Sequence, residues 1–156
     1  MSAADRAEMA YLCRSYKKLP FAATLLYAGA FADDPRLADD LDSWHRYNAA
    51  CCAAVVAAGQ AGDARQLPDK AGAMLRRQAL GWLRADLARW AQMAERNDPA
   101  ARRQVRQRLT DWQQEADLAS AREPAALDKL SDDERAAWRR LWEDVAALRQ
   151  EVEPTK

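Results

Sequence analysis

One short stretch gathers the residue types that could do chemistry: HRYNAACCAAVVAAG, residues 45–59. It holds the only histidine of the chain, His45, and two of its three cysteines, Cys51 and Cys52. A nucleophilic cysteine needs a lowered pKa and a base within reach. His45 lies six or seven residues before the two cysteines, nearly two turns away along one helix, which is far for direct contact. A zinc site draws on several His and Cys ligands at short spacing. One histidine and three scattered cysteines do not supply the usual four ligands within one chain. The stretch therefore yields no catalytic residue, no metal ligand and no cofactor.

The same residues make sense as the inside of a helix. Ala49, Ala50, Ala53, Ala54, Ala57 and Ala58 form an alanine-lined surface round much of it. Small side chains let a neighbouring helix come close. Cys51 and Cys52 then read as small buried residues, and His45 as a helix-start residue bonded to a neighbouring loop.

The totals bound the answer. A chain of 156 residues fits one domain or one compact array of small repeats. It is long enough to bury a core without disulfides or metal. Lys+Arg and Asp+Glu are both 24, so the formal net charge is zero, which argues against a general nucleic-acid binder. Charged residues at 31% and hydrophobic ones at 49% argue against disorder. Three cysteines, two of them adjacent, form no disulfide framework and suit a reducing compartment. The N-terminus has acidic residues and no long apolar core, so it does not read as a secretory signal. AACCAAVVAAG is too short and too rich in alanine to span a bilayer. The expectation is a soluble, cytoplasmic protein with no membrane and no nucleic-acid partner.

The elements that position these residues are helices. Ala, Leu, Arg, Glu, Gln and Asp dominate, and no alternating strand-like segment stands out. Asp34 with Pro35 and Asp98 with Pro99 mark helix starts, as do Pro68 with Asp69. SDDE is a capping box, with Ser131 as cap and Glu134 reaching back. These signals predict helices over about 3–16, 20–33, 42–59, 69–95, 99–115 and 132–151, and short helical turns near 35–41 and 116–130. On the last helix Trp138, Leu141, Trp142, Val145, Leu148 and Val152 share one face. The long helix has a wider apolar face that includes Trp82 and Trp90. Trp44, Trp82, Trp90, Trp112, Trp138 and Trp142 read as core anchors, and any of them left exposed would mark a partner surface. Arg102, Arg103, Arg106 and Arg108 read as a solvated helix face, and Asp86 with Arg89 as a surface pair.

AATLLYAGAFADDP places Ala23, Tyr27, Ala30 and Pro35 at the small–aromatic–small–proline spacing of the second helix of a tetratricopeptide repeat, which it resembles. YNAACCAAVVAAG looks like part of the first helix of a following repeat. The likeness is best over residues 10–59, the loop from Gly59 to Pro68 is longer than a regular repeat allows, and residues 97–156 do not follow the pattern. A wider resemblance rests on HRYNAACCAA, RRQALGWLRADLARW, VRQRLTDWQQEADLASAREPAALDKL and ERAAWRRLWEDV. Together these look like the C-terminal region that closes a tetratricopeptide array in planctomycete-type bacterial serine/threonine kinases and related repeat proteins. It covers roughly residues 20–150. It implies an end piece of an interaction array and no kinase activity: a glycine-rich phosphate loop, HRD and DFG are all missing, and HRYN has Tyr47 where the aspartate would be needed.

The resulting expectation is an all-α fold: a single helical domain over 1–156, with tetratricopeptide-like antiparallel helical hairpins over 1–95 and a C-terminal helical cap or bundle over 96–156. The expected function is a non-catalytic protein–protein interaction module that holds a protein or peptide partner in a groove. The resemblance implies that a polar side chain on this kind of helix faces the groove and can hold a peptide backbone, which points to Arg46, Tyr47 and Asn48 as partner-binding residues. The alternative is a structural cap or self-association domain of a repeat array. An enzyme would need converging polar groups, and the sequence offers no such set.

Overall fold

The computed structural model describes residues 1–155. Its helices begin where short polar side chains can take up free backbone amides. Ser2 opens α1 (Ala3–Leu12) with a reciprocal cap: its hydroxyl accepts from the Asp5 amide at 3.1 Å, and the Asp5 carboxylate accepts from the Ser2 amide at 3.0 Å. The helix loosens into a π-turn at Cys13–Lys17, where the Leu19 amide reaches the Cys13 carbonyl at 2.9 Å. Lys18 turns left-handed at φ 56°, and Pro20 takes the first position of α2 (Pro20–Asp33), where its missing N–H costs nothing.

A short α3 (Arg36–Asp39) leads to α4 (His45–Ala57), and a loop leads to the long α5 (Asp69–Ala94). Asp98 caps α6 (Pro99–Gln114), accepting from the amides of Ala100 at 3.1 Å and Ala101 at 3.3 Å. A 3-10 turn at Ala116–Ala121 and α7 (Pro124–Leu127) follow, and Ser131 caps α8 (Asp132–Glu151). No strand occurs among the described residues. The all-α expectation holds. The chain groups into two compact units, 1–86 and 87–156, with the boundary inside α5 rather than in the turn after it.

In the first unit α2 packs on both α1 and α4. Three long-range contacts fix successive helices as antiparallel. Arg6 near the start of α1 pairs with Asp33 at the end of α2 at 2.7 Å. Asp63, just after α4, bonds the first amides of α2. Arg46 near the start of α4 pairs with Asp86 of α5 at 2.6 Å. The core is Ala7, Ala10, Ala23, Tyr27, Ala30, Ala49 and Cys52, edged by Cys13, Leu26, Phe31, Leu37 and Trp82. Alanines at the crossings allow close helix axes, and Tyr27 fills the remaining volume. Cβ-free Gly29 sits where the Arg6 side chain crosses: a Cβ there would meet Arg6 Nη1 at 3.0 Å. Buried residues run without a break from His45 to Ala54, so α4 is enclosed on every side over most of its length.

In the second unit α6 packs on α8. Trp138, Leu141, Val145 and Leu148 bury the face that their spacing predicts, and Val152 joins them. Trp142 is half-buried, and its indole N–H donates to the Ala121 carbonyl at 2.7 Å. The Arg122 guanidinium lies 5.8 Å over the Trp142 ring and donates to the carbonyls of Trp112 at 3.2 Å and Glu115 at 2.8 Å. The basic run is not simply a solvated face. Arg102 donates to the Glu151 carbonyl and Arg106 to that of Val152, where the free carbonyls of the last turn of α8 attract cations.

Candidate functional site

The turn before α4 is built by short side chains. The Ser43 hydroxyl donates to the Asp40 carbonyl at 2.8 Å and accepts from the His45 amide at 3.3 Å. The Asp42 amide donates to the Asp40 carboxylate at 3.0 Å. Between this turn and the helix, Trp44 takes the left-handed conformation at φ 61°. For a residue of this bulk the conformation costs about 1–2 kcal/mol. The Trp44 and Tyr47 rings pack edge to face at 5.9 Å, which holds the indole where the strained backbone puts it.

Trp44 forms one wall of an open groove of about 450 Å³, lined also by Glu8, Tyr11, Ser43, His45 and Asn48. Glu8 and Tyr11 are three residues apart on α1, and His45 and Asn48 are three apart on α4. That spacing brings each pair to one side of its helix. The lining therefore combines one carboxylate, two aromatic rings and three uncharged polar groups.

His45 is only 9% exposed, and its Nδ1 is closed off from solvent with no hydrogen-bond partner. Its ring lies 5.8 Å from that of Tyr27. Burial pushes the His45 pKa below the usual 6.5, against the opposing pull of the Glu8 and Asp40 carboxylates. The imidazole is thus neutral at neutral pH. Burial pushes the Tyr27 phenol far above its usual range, with Cys52 adding to the effect. Asn48 and Arg14 offset part of this rise, although Asn48 does not meet the phenol oxygen in hydrogen-bonding geometry. Tyr27 remains an uncharged phenol under the groove floor.

Of the three partner-binding residues expected from the sequence, Asn48 lines the groove. Arg46 does not: it is 8% exposed, and its guanidinium bonds Asp86 at 2.6 Å and Asp39 at 2.9 Å. Tyr47 is buried too, against Trp44. Each step along a helix turns about 100°, so neighbours of a groove residue face other elements. Asp86, expected at the surface beside Arg89, is instead 4% exposed and receives Arg46. Cys51 and Cys52 form no disulfide, and both are buried.

No tryptophan among the described residues is fully exposed: Trp90, Trp112 and Trp138 are buried, and Trp44, Trp82 and Trp142 half-buried. Among the large apolar groups left in solvent, Met9, Tyr11, Leu12 and Tyr16 gather on the first helix and its π-turn, the last of them 70% exposed, while Leu25 on α2, Met74 on α5, Met1 and Leu19 are exposed elsewhere. Tyr16 packs edge-on against Tyr11 at 6.3 Å, which joins this strip to the groove. Glu8, Tyr11, Ser43 and Trp44 were not legible as site residues. The one available signal was the spacing of Met9, Leu12 and Tyr16 at three and four residues, which in sequence looks the same as a core-facing stripe.

Among the described residues, no group of three or more His, Cys, Asp or Glu side chains is placed to hold a metal ion. No helix among them is long and apolar enough to cross a membrane. No protein-family model matches this chain, and no curated protein or solved structure matches it.

Proposed function

We propose that this chain is a non-catalytic protein-interaction module that binds a segment of a partner protein along α1 and the start of α4. The observation that carries this reading is the exposure of Met9, Tyr11, Leu12 and Tyr16 on α1 and its π-turn, of which Tyr11 lines the groove and packs on Tyr16. Large apolar groups left in water beside a concave polar site are what a partner segment covers. The antiparallel order of α1, α2, α4 and α5 supports a tetratricopeptide-like arrangement. Kinship with the C-terminal repeat region of bacterial serine/threonine kinases rests on the sequence resemblance alone.

A selection of peptides displayed against the whole chain tests this. Peptides that bind the native chain and lose binding to the Met9→Glu/Leu12→Glu variant, with the same melting temperature, bear the reading out. Peptides that bind both equally overturn it. The same strip favours a second reading, a cap or self-association surface, because stacked helix arrays cover such faces with the next unit. A dimer seen by sedimentation velocity and lost in the same variant distinguishes it.

A further inference from the structure

We propose that the groove between α1 and the start of α4 receives the cationic side chain, lysine or arginine, of a bound peptide. This inference rests on the interaction-module reading and narrows its ligand. The carboxylates at the groove carry the argument. Glu8 is the only carboxylate of the lining, which holds no Lys or Arg, and burial holds the His45 pKa below its usual value. The second charge acting on His45, Asp40, is also a carboxylate. The carboxylates of Glu8 and Asp40 attract a cation entering here, two full charges against the partial positive charge at the start of α4.

The uncharged lining suits the same guest. Tyr11 and Trp44 offer aromatic rings, and a ring face attracts a cation. Trp44 is held in place by a strained backbone and by Tyr47, so its ring is fixed before any ligand arrives. The Ser43 hydroxyl and the Asn48 amide oxygen are acceptors for the N–H groups of an ammonium or guanidinium. A volume of about 450 Å³ admits one long side chain. The apolar strip at Met9, Leu12 and Tyr16 would take the residues beside it.

The test titrates the full chain with N-acetyl-arginine methylamide and N-acetyl-lysine methylamide, followed by amide and indole NMR shifts. N-acetyl-norleucine methylamide, without charge, and the glutamate analogue are the controls. Saturable shifts at Trp44, His45 and Asn48 are expected with the two cations and not with the controls. Glu8→Gln should weaken binding by about fivefold, the upper range for an exposed charge pair. Tyr11→Leu keeps the apolar bulk, removes the ring and should weaken binding by a similar factor. Both positions are exposed, and the spectra of the variants report their folding directly. Equal shifts with norleucine, shifts only with glutamate, or unchanged binding in both variants overturns the inference. If the cations fail while selected peptides still depend on Met9 and Leu12, this inference falls and the module reading stands. If the cations bind the groove but no peptide depends on that strip, the module reading falls alone.

Discussion

The carboxylate of Asp63 caps the helix that starts beside Phe21, although 42 residues separate them. One oxygen accepts from the Phe21 amide at 3.1 Å and the other from the Ala22 amide at 3.0 Å. The local cap position, Leu19, has no side-chain oxygen to offer. The loop after α4 thus supplies what the sequence before α2 lacks, and it ties that loop to the helix pair. Asp63→Ala should lower stability by about 1 kcal/mol, with Asp63→Asn costing less, since asparagine keeps one of the two acceptor oxygens. Urea denaturation of the two variants checks the order.

The Arg46–Asp86 pair joins α4 to α5 away from water. Removing Asp86 leaves a buried guanidinium facing the half-exposed carboxylate of Asp39. Asp86→Ala should therefore cost about 3 kcal/mol. Replacing the pair together, Arg46→Met with Asp86→Leu, should recover most of that loss, because an apolar pair of similar volume has no charge to desolvate. Denaturation midpoints of the single and double variants decide it.

His45 gives stability a pH dependence of known sign. Its folded pKa lies below the 6.5 of the free side chain, so below 6.5 the unfolded chain takes up a proton that the folded chain resists. The contribution is fully present above pH 6.5, falls as pH drops through that value, and levels off below the folded pKa. The slope in the window is at most about 1.4 kcal/mol per pH unit, the value for one proton. Subtracting the pH profile of His45→Gln from that of the native chain isolates this part from the carboxylates.

The left-handed backbone at Trp44 separates strain from ring packing. Trp44→Ala and Trp44→Gly both lose the indole, but only alanine retains the cost of a positive φ. The glycine variant should be the more stable by about 1 kcal/mol. Thermal melts of the two would show the reverse order if the turn simply relaxes when the ring is removed.

Most of the helices were legible because their signals are local. Pro20, Asp98 with Pro99, and Ser131 each set a start by a cap or a fixed φ, and the face of α8 follows from spacing alone. The π-turn at Cys13–Lys17 was not legible, since in sequence residues 13–16 read as four more residues of helix. The groove was half legible. Asn48 sits in it, while Arg46 and Tyr47 do not. The reason is that α4 is enclosed on all sides, so no polar face tells which arc meets α1 and which meets α5. Glu8 and Tyr11 come from another helix, and only the folded chain brings them to Asn48.

The enclosure of α4 also fixes how this protein breathes. Its backbone amides have no solvent-facing side from which a single hydrogen bond can fray. Exchange of those amides with deuterium must wait for the whole first unit to open, whereas α1, with Met9, Leu12 and Tyr16 in water, can open by itself. The last protons to leave should therefore be those of the alanine–cysteine segment from Ala49 to Ala54, and their exchange rate should equal the rate set by global unfolding of that unit.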